Sequence, residues 1–486
     1  MRVNRFFIVL MLAVMLINLA GCMDNSLTPP QNTSESSVST QETASPAEII
    51  FPLAERKTYR ILVAQQMDLA ALQKSAWYQE LESMTNVEIQ FLRLDDIVAG
   101  REDIHAFIGN YLTSDSIASA ATDGFLLQLD ALVTEEIMPN YTCLLTTKPH
   151  AKQFMTCLDG HIYTLAALDN STYGAHVKSP LLVNTEWLKK AGLSDVNTIE
   201  KFEQYLKYVK ENDVNGNGDP NDEIPFLICA SSSVNAEANL QGILSWWGLP
   251  TTDDDGDYYC VVSGGKVELA PKTKPYQAAI EKVSQWYKEG YLWSGFFTGT
   301  SDNMRELMNT PTPVVGAVTN SAWDGNMEYV SAPVPDGYTP RILVSSDYYG
   351  QRDFIGITNI CSEEDAKVLL AWMDVAVFCS ESPFHEIEPV SDLENIRQIE
   401  AVIGENCCYQ EIWICPYLTV EQSVDKDNIW PDARSVILDY EEKFIKGYLE
   451  INEENWTAYM RALYNTDAWD LIEILQEAYD VILAKQ

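Results

Sequence analysis

The residues best placed to do chemistry lie between Asp213 and Pro225, in the run Asp213-Val214-Asn215-Gly216-Asn217-Gly218-Asp219-Pro220-Asn221-Asp222-Glu223-Ile224-Pro225. Oxygen-bearing side chains stand at alternate places, Asp213, Asn215 and Asn217, and a glycine, Gly218, follows. That is the front half of an EF-hand calcium loop, D-x-[DN]-x-[DN]-G. Alternate residues in a tight turn point inward, so the three can share one hard cation, with the carbonyl of Asp219 as a further ligand. The closing glutamate of an EF-hand belongs where this chain has Ile224; Asp222 and Glu223 precede it and are the carboxylates available. The pattern therefore predicts a compact structural loop rather than a true EF-hand. All its donors are oxygens, which favours Ca2+. A solvated acidic turn is the alternative, because Asn, Gly, Asp and Pro are the usual turn formers.

Enzyme signatures are missing. No G-x-S-x-G elbow, H-E-x-x-H helix, P-loop or Rossmann glycine pattern occurs. The five histidines are scattered, and none pairs with another at a metal-ligand spacing on one helix face. The aromatic residues instead suit carbohydrate, whose C–H faces pack on rings while its hydroxyls need carboxylates, amides and arginine at the edge. Trp246 and Trp247, Trp323 with Asp324, Tyr348 and Tyr349 with Arg352, and Trp413 are the expected wall of a binding site. Gln65 and Gln66 join them because they follow the first strand, where α/β sheets place ligands. For Trp246 and Trp247 a core position fits the sequence equally well.

The elements that must hold these residues alternate between strands and helices. Tyr59–Ala64, Val87–Phe91 and Asp103–Ile108 read as strands, with a helical stripe of Leu69, Leu72, Trp77 and Leu81 between the first two. This alternation predicts βαβ units around a mainly parallel sheet. Ile199, Phe202, Leu206 and Val209 form the apolar stripe of a helix leading into the acidic loop, and Ile224–Ile228 reads as the strand leading out. Tyr276, Ile280, Val283 and Tyr287 mark another helix, and Ala468, Ile472, Leu475, Tyr479 and Ile482 a last one.

Composition narrows the partners. With 486 residues the chain has room for two or three domains. A formal net charge of -39 excludes nucleic acid and disfavours anionic ligands. Arg2 and Arg5 precede an apolar run from Phe6 to Leu19, the plan of a secretory signal. The run ends in Leu19-Ala20-Gly21-Cys22, which resembles a bacterial lipobox and implies cleavage before Cys22 and a diacylglycerol anchor on its sulfur. Residues 22–55, rich in Ser, Thr, Pro, Gln and Glu, are expected to be a disordered tether. Nine cysteines follow Cys22, an odd number that rules out complete internal pairing. A Cys143–Cys157 disulfide and free thiols are both compatible with the spacing.

Several separate pieces carry a family resemblance. In order they are Asp159-Gly160-His161-Ile162-Tyr163, Leu182-Val183-Asn184-Thr185-Glu186-Trp187-Leu188-Lys189-Lys190-Ala191-Gly192-Leu193, Thr198-Ile199-Glu200-Lys201-Phe202, the acidic loop, Trp286-Tyr287-Lys288-Glu289-Gly290-Tyr291, and Leu475-Gln476-Glu477-Ala478-Tyr479-Asp480. Together with the lipobox, they make the chain resemble a family 1 extracellular solute-binding protein of the lipoprotein branch serving carbohydrate ABC importers. The resemblance implies an α/β, two-lobed, periplasmic-binding-protein-like fold with a ligand cleft between the lobes and a helical C-terminal part. Lobe 1 is expected from 56–166 and 300–345, lobe 2 from 167–299 and 346–486. It also implies a monomer without enzymatic activity, tethered outside the membrane, which passes a sugar to the transmembrane subunits of a permease. Asp213, Asn215, Asn217, Asp222 and Glu223 match the family's calcium positions, with one extra residue before Asp222. The segment Ser382-Pro383-Phe384-His385 and the cysteine-bearing stretch after it replace a glycine-rich aromatic segment, which points to an altered cleft. A sensing or adhesion lipoprotein without a permease, or a glycan-acting enzyme, are the rival readings.

Overall fold

The computed structural model describes residues 49–63, 68–93, 103–109, 114–147, 151–166, 168, 180–230, 240–249, 259–319, 327–340, 342–343, 355–378, 407–408 and 417–483. In chain order its first part holds β1 (Lys57–Val63), α1 (Ala76–Thr85), β2 (Val87–Leu92), β3 (Ala106–Ile108), α2 (Ser114–Thr122), α3 (Pro139–Thr147) and β4 (Thr164–Leu165). The middle part holds β5 (Leu181–Asn184), α4 (Thr185–Lys190), α5 (Ile199–Glu211), β6 (Ile224–Leu227), β7 (Cys260–Ser263), β8 (Lys266–Leu269), α6 (Lys274–Glu289), β9 (Val315–Thr319) and β10 (Met327–Val330). Then come β11 (Ile342–Leu343), β12 (Ile355–Ile357), α7 (Glu363–Ala376), β13 (Cys407–Cys408), α8 (Val420–Ile445), α9 (Glu453–Tyr464) and α10 (Ala468–Leu483).

Two sheets organise two lobes. The first runs in the order β2-β1-β3-β12-β4, the second in the order β10-β5-β9-β6. β1 pairs parallel with β2 and β3, as the alternation of strands and helices predicts, and β12 joins antiparallel between β3 and β4. Each sheet has its own core. Ile61, Val63, Ile89, Ile108, Ile355 and Trp372 belong to the first, and Phe202, Phe226, Trp246, Trp286 and Val318 to the second.

The division between lobes differs from the expectation for 300–345 and 346–486. β9 lies inside the second sheet, parallel to β6 and antiparallel to β5, and β10 extends that sheet. Conversely, β12 belongs to the first sheet, and α7 buries Val368, Leu369, Trp372 and Met373 in the first core. The reason is that a strand without charged residues such as Val315-Gly316-Ala317-Val318-Thr319, buried at all five positions, fits the middle of any sheet. Its sequence carries no address. The folded part also starts before residue 56: Ile49, Phe51 and Leu53 pack on the first core, and the Leu53 amide donates to the Thr85 carbonyl at 3.0 Å.

Local sequence explains the helices around the acidic loop. Thr198 caps α5 by accepting from the Lys201 amide, and Ile199, Phe202, Tyr205, Leu206 and Val209 bury one face. Tyr205 also donates its hydroxyl to the Gly316 carbonyl at 2.8 Å, fixing α5 to β9. α6 starts at the Thr273 cap and ends at Gly290, whose φ of 68° closes the helix with a left-handed residue.

The register places the lobe crossings at one end of each sheet. In the first sheet Ile355 stands opposite both Ile108 and Leu165, beside the end of β1 at Val63. In the second sheet Leu181 stands opposite both Thr319 and Val330, at the end where β6 finishes with Leu227. The chain leaves the first sheet after Leu165 and enters the second at Leu181, so the carboxyl ends of the parallel strands are the ends joined by the crossing. Open α/β sheets bind ligands outside those ends.

Candidate functional site

The acidic loop closes on its own carboxylates. Asp213 accepts from three amides: Gly216 at 2.7 Å and Asn217 at 3.1 Å through Oδ1, and Gly218 at 2.9 Å through Oδ2. Gly216 and Gly218 have φ of 75° and 94°, a region that suits glycine, and this turns the amides inward. The side chain of Asn215 accepts from the Asn217 amide at 2.9 Å, and that of Asn217 from the Asp219 amide at 2.7 Å. Both asparagine amino groups donate to Asp222, at 3.2 Å from Asn215 and 2.5 Å from Asn217. The polar ends of residues 215, 217 and 222 therefore meet. Asp219 turns its carboxylate to the Asn221 amide at 3.1 Å.

Glu223 is the loop's buried member. Its Oε1 accepts from the amides of Val214 at 2.7 Å and Asn215 at 3.2 Å, while Oε2 is buried with no hydrogen-bond partner. Burial raises its pKa above the ordinary glutamate value, against the pull of those two amides. Lys190, at the end of α4, donates to the Val214 carbonyl at 2.6 Å and anchors the loop to the second lobe. Sequence spacing gave no hint of Lys190, which stands 24 residues from its partner. Among the described residues, no group of three or more His, Cys, Asp and Glu gathers as a metal site; two of this loop's meeting side chains are asparagines.

The expected ligand wall divides differently. Trp246 and Trp247 form a short 3-10 turn and are 1% and 3% exposed. Trp246 stacks on Phe226 and meets Phe202 and Trp286 edge-on, at the centre of the second core. Trp247 stacks on Trp246. Both are core residues and not cleft walls, because the turn before Gly248 directs them into the aromatic cluster. Gln65, Gln66, Trp323, Asp324, Tyr348, Tyr349, Arg352 and Trp413 lie outside the described residues, as do Cys22, the segment 1–21 and the tether up to residue 48. Two residues that the sequence did not single out stand where the crossings meet the sheets. Thr319, at the end of β9, is fully buried with its hydroxyl unpartnered. Tyr417 is buried with Leu62, Phe107, Ile117 and Tyr163 of the first lobe.

Cys143 is exposed and forms no disulfide, so the Cys143–Cys157 bridge is not made. Among the described residues no helix is long and apolar enough to cross a membrane.

No protein-family model matches the chain. Its sequence is 27% identical over 259 residues to the fructooligosaccharide ABC transporter substrate-binding protein FusA of Streptococcus pneumoniae serotype 4, covering 50% of this chain and 46% of FusA. It is 24% identical over 155 residues to lipoprotein LipO of Bacillus subtilis, covering 30% of this chain and 29% of LipO. The chain thus spans less than half the length of these curated relatives. The fold is similar to an HMO-binding, ABC-transporter-associated solute-binding protein of Bifidobacterium longum infantis, with a TM-score of 0.69, 17% identity, and coverage of 88% of this chain and 99% of that one. It is also similar to an EF-hand mutant of S. pneumoniae FusA in complex with fructo-nystose, with a TM-score of 0.65, 16% identity, and coverage of 89% and 100%. The chain is thus similar over part of its length to these two proteins, and it shares the fold of the solved solute-binding proteins.

Proposed function

We propose that this protein is a membrane-anchored solute-binding lipoprotein that captures an oligosaccharide and delivers it to an ABC importer, without enzymatic activity. The observation that carries the reading is the joining of both sheets at their strand carboxyl ends, in a chain related to a fructooligosaccharide-binding protein. The ligand sits between the lobes, and lobe closure by hinge motion presents the loaded form to the permease. Gln65, Gln66, Trp323, Asp324, Tyr348, Tyr349, Arg352 and Trp413 supply the wall, stacking rings on sugar faces and hydrogen-bonding at the edges. The net charge of -39 favours a neutral glycan over an acidic one. Cys22 carries the lipid, holding the protein outside the cell membrane as a monomer.

The residues of the acidic loop fit a calcium ion. Asp213, Asn215, Asn217, Asp222 and Glu223 would hold it, with the Asp219 carbonyl. The supporting observation is the buried, unpartnered Oε2 of Glu223, an oxygen that a hard cation would satisfy. FusA was also studied as an EF-hand mutant. The ion would stabilise the connection from α5 to β6 and would not touch the sugar.

Calorimetric titration of the mature chain with kestose, fructo-nystose, an HMO mixture and an N-glycan tests the function; these are chosen from what similar proteins bind. Saturable one-to-one binding of one of them supports the proposal, and no binding across the panel counts against it.

A further inference from the structure

We infer that His105 is an acid-sensitive clasp of the first lobe: neutral, it ties β1, β3 and the corner between β12 and α7 together, and on protonation it loosens them. His105 stands directly before β3, at the end away from Ile108 and the lobe crossing. Arg60 of β1 gives both of its backbone groups to this one residue. Its carbonyl accepts from the His105 amide at 3.0 Å, and its amide donates to Nδ1 of the ring at 3.1 Å. The His105 carbonyl in turn accepts from the Thr358 amide at 2.9 Å and from the Cys361 thiol at 3.5 Å. One residue thus holds three segments together. The last of them belongs to the stretch by which the chain returns to the first sheet after β10 of the second.

The ring bond requires a neutral imidazole. Nδ1 must present its lone pair, which puts the proton on Nε2; a second proton turns Nδ1 into a donor facing the Arg60 amide, itself a donor. The surroundings favour the neutral form: burial, and then the Arg60 guanidinium, lower the His105 pKa, against Asp365 and Asp103. Tyr59 meets the ring edge-on, with centroids 5.5 Å apart, and its hydroxyl donates to Asp365 at 2.8 Å. Lys57 donates to the same oxygen at 2.9 Å and to Glu364 at 3.3 Å. Although burial opposes it, hydrogen bonds from Ser362, Lys57 and Tyr59 hold Asp365 down at about 2, and the Cys361 thiol is pushed up to about 12 by burial and by Asp365. Neither changes charge in the range where histidine titrates. A histidine whose folded pKa lies below its unfolded value contributes its full stability above about pH 6.5 and loses it as the pH falls further.

The effect is confined to this corner. The described part of the second lobe contains no histidine. His161, the other described histidine of the first lobe, faces Asp130 through Nδ1 at 3.3 Å, so a proton there adds an attraction and removes no acceptor.

Hydrogen exchange read by mass spectrometry tests this on the full chain without sugar, at about pH 7.5 and about pH 5.0, with the intrinsic pH dependence of exchange divided out. Protection in residues 58–63 and 355–361 is expected to fall about tenfold at the lower pH, the scale of one buried amide left unpaired, while 224–227 and 315–319 of the second sheet keep theirs. His105→Asn offers an oxygen in place of Nδ1 and does not titrate, so its protection in the two first-lobe segments should be the same at both pH values. His105→Ala has no acceptor, and should be as weakly protected at the higher pH as the native chain is at the lower. Equal protection of the native segments at both pH values would overturn the inference. So would a loss shared equally by the second sheet, or one that persists in His105→Asn, since carboxylates would then be its source.

Discussion

Glu223→Gln separates the part the loop plays alone from the part it plays with calcium. Glutamine keeps an oxygen for the amides of Val214 and Asn215, now bonded at 2.7 and 3.2 Å, and removes the charge. In calcium-free protein two effects oppose. The raised pKa means that the ionised carboxylate is disfavoured by burial, and losing it helps. The new amino group sits where Oε2 has no partner, and an unsatisfied buried donor costs about 1–3 kcal/mol. The expected change with EGTA is therefore small, within about 1 kcal/mol. With calcium the outcome differs. An ion held at a hundredfold excess over its Kd stabilises the native chain by about 2.7 kcal/mol, and a tenfold weaker site yields only about 1.4 kcal/mol. Thermal unfolding followed by the fluorescence of the buried tryptophans of the second core reads the difference. Native protein should gain about 3–6 °C with calcium, and the variant about half of that. The reasoning fails if EGTA leaves the native Tm unchanged, or if the variant gains as much as the native chain.

Trp246→Ala should destabilise the second lobe by about 3–5 kcal/mol through the cavity left among Phe202, Phe226 and Trp286, as denaturant titration would show; a loss of sugar affinity in a fully stable variant would return Trp246 to the cleft. Asp374 accepts from the amides of Asn140 and Tyr141 at the start of α3, and burial pushes its pKa up to about 6. A carboxyl whose pKa is raised on folding costs stability as pH rises through the window from about 4 to 6, so native protein should lose stability relative to Asp374→Asn between those values, on the order of 3 kcal/mol; a pH-independent difference between the two would refute this. Exposed Cys143 should react with a thiol reagent in the native state, whereas Cys361, its thiol pushed up to about 12 by burial and by Asp365, should react only after unfolding. Equal labelling of both in native protein would contradict that.

Much of the fold is legible locally. The stripes of α5 and α6 follow from short-range spacing, and the structure buries Ile199, Phe202, Leu206 and Val209 of the one and Tyr276, Ile280 and Val283 of the other. The assignment of β9 and β12 to sheets is not legible, because the choice depends on partners more than a hundred residues away for β12 and on no polar edge for β9. The same limit governs the aromatic residues. Trp246 and Trp323 look alike in sequence, and only the ring packing around Trp246 identifies it as core. The acidic loop is legible because its hydrogen bonds are short-range, from Asp213 to Gly218 and from Val214 to Glu223. Lys190 and Tyr417 escape because each acts through contacts distant in sequence.

The most direct measurement of the central claim is a crystal structure of the mature chain bound to a member of the sugar panel. The account predicts an oligosaccharide lying between the two sheets, outside the ends of β1, β3, β6 and β9, with rings on Trp323 and Tyr349 and the loop at 213–223 more than a contact distance away. A sugar seated elsewhere, or held by the acidic loop, would contradict it.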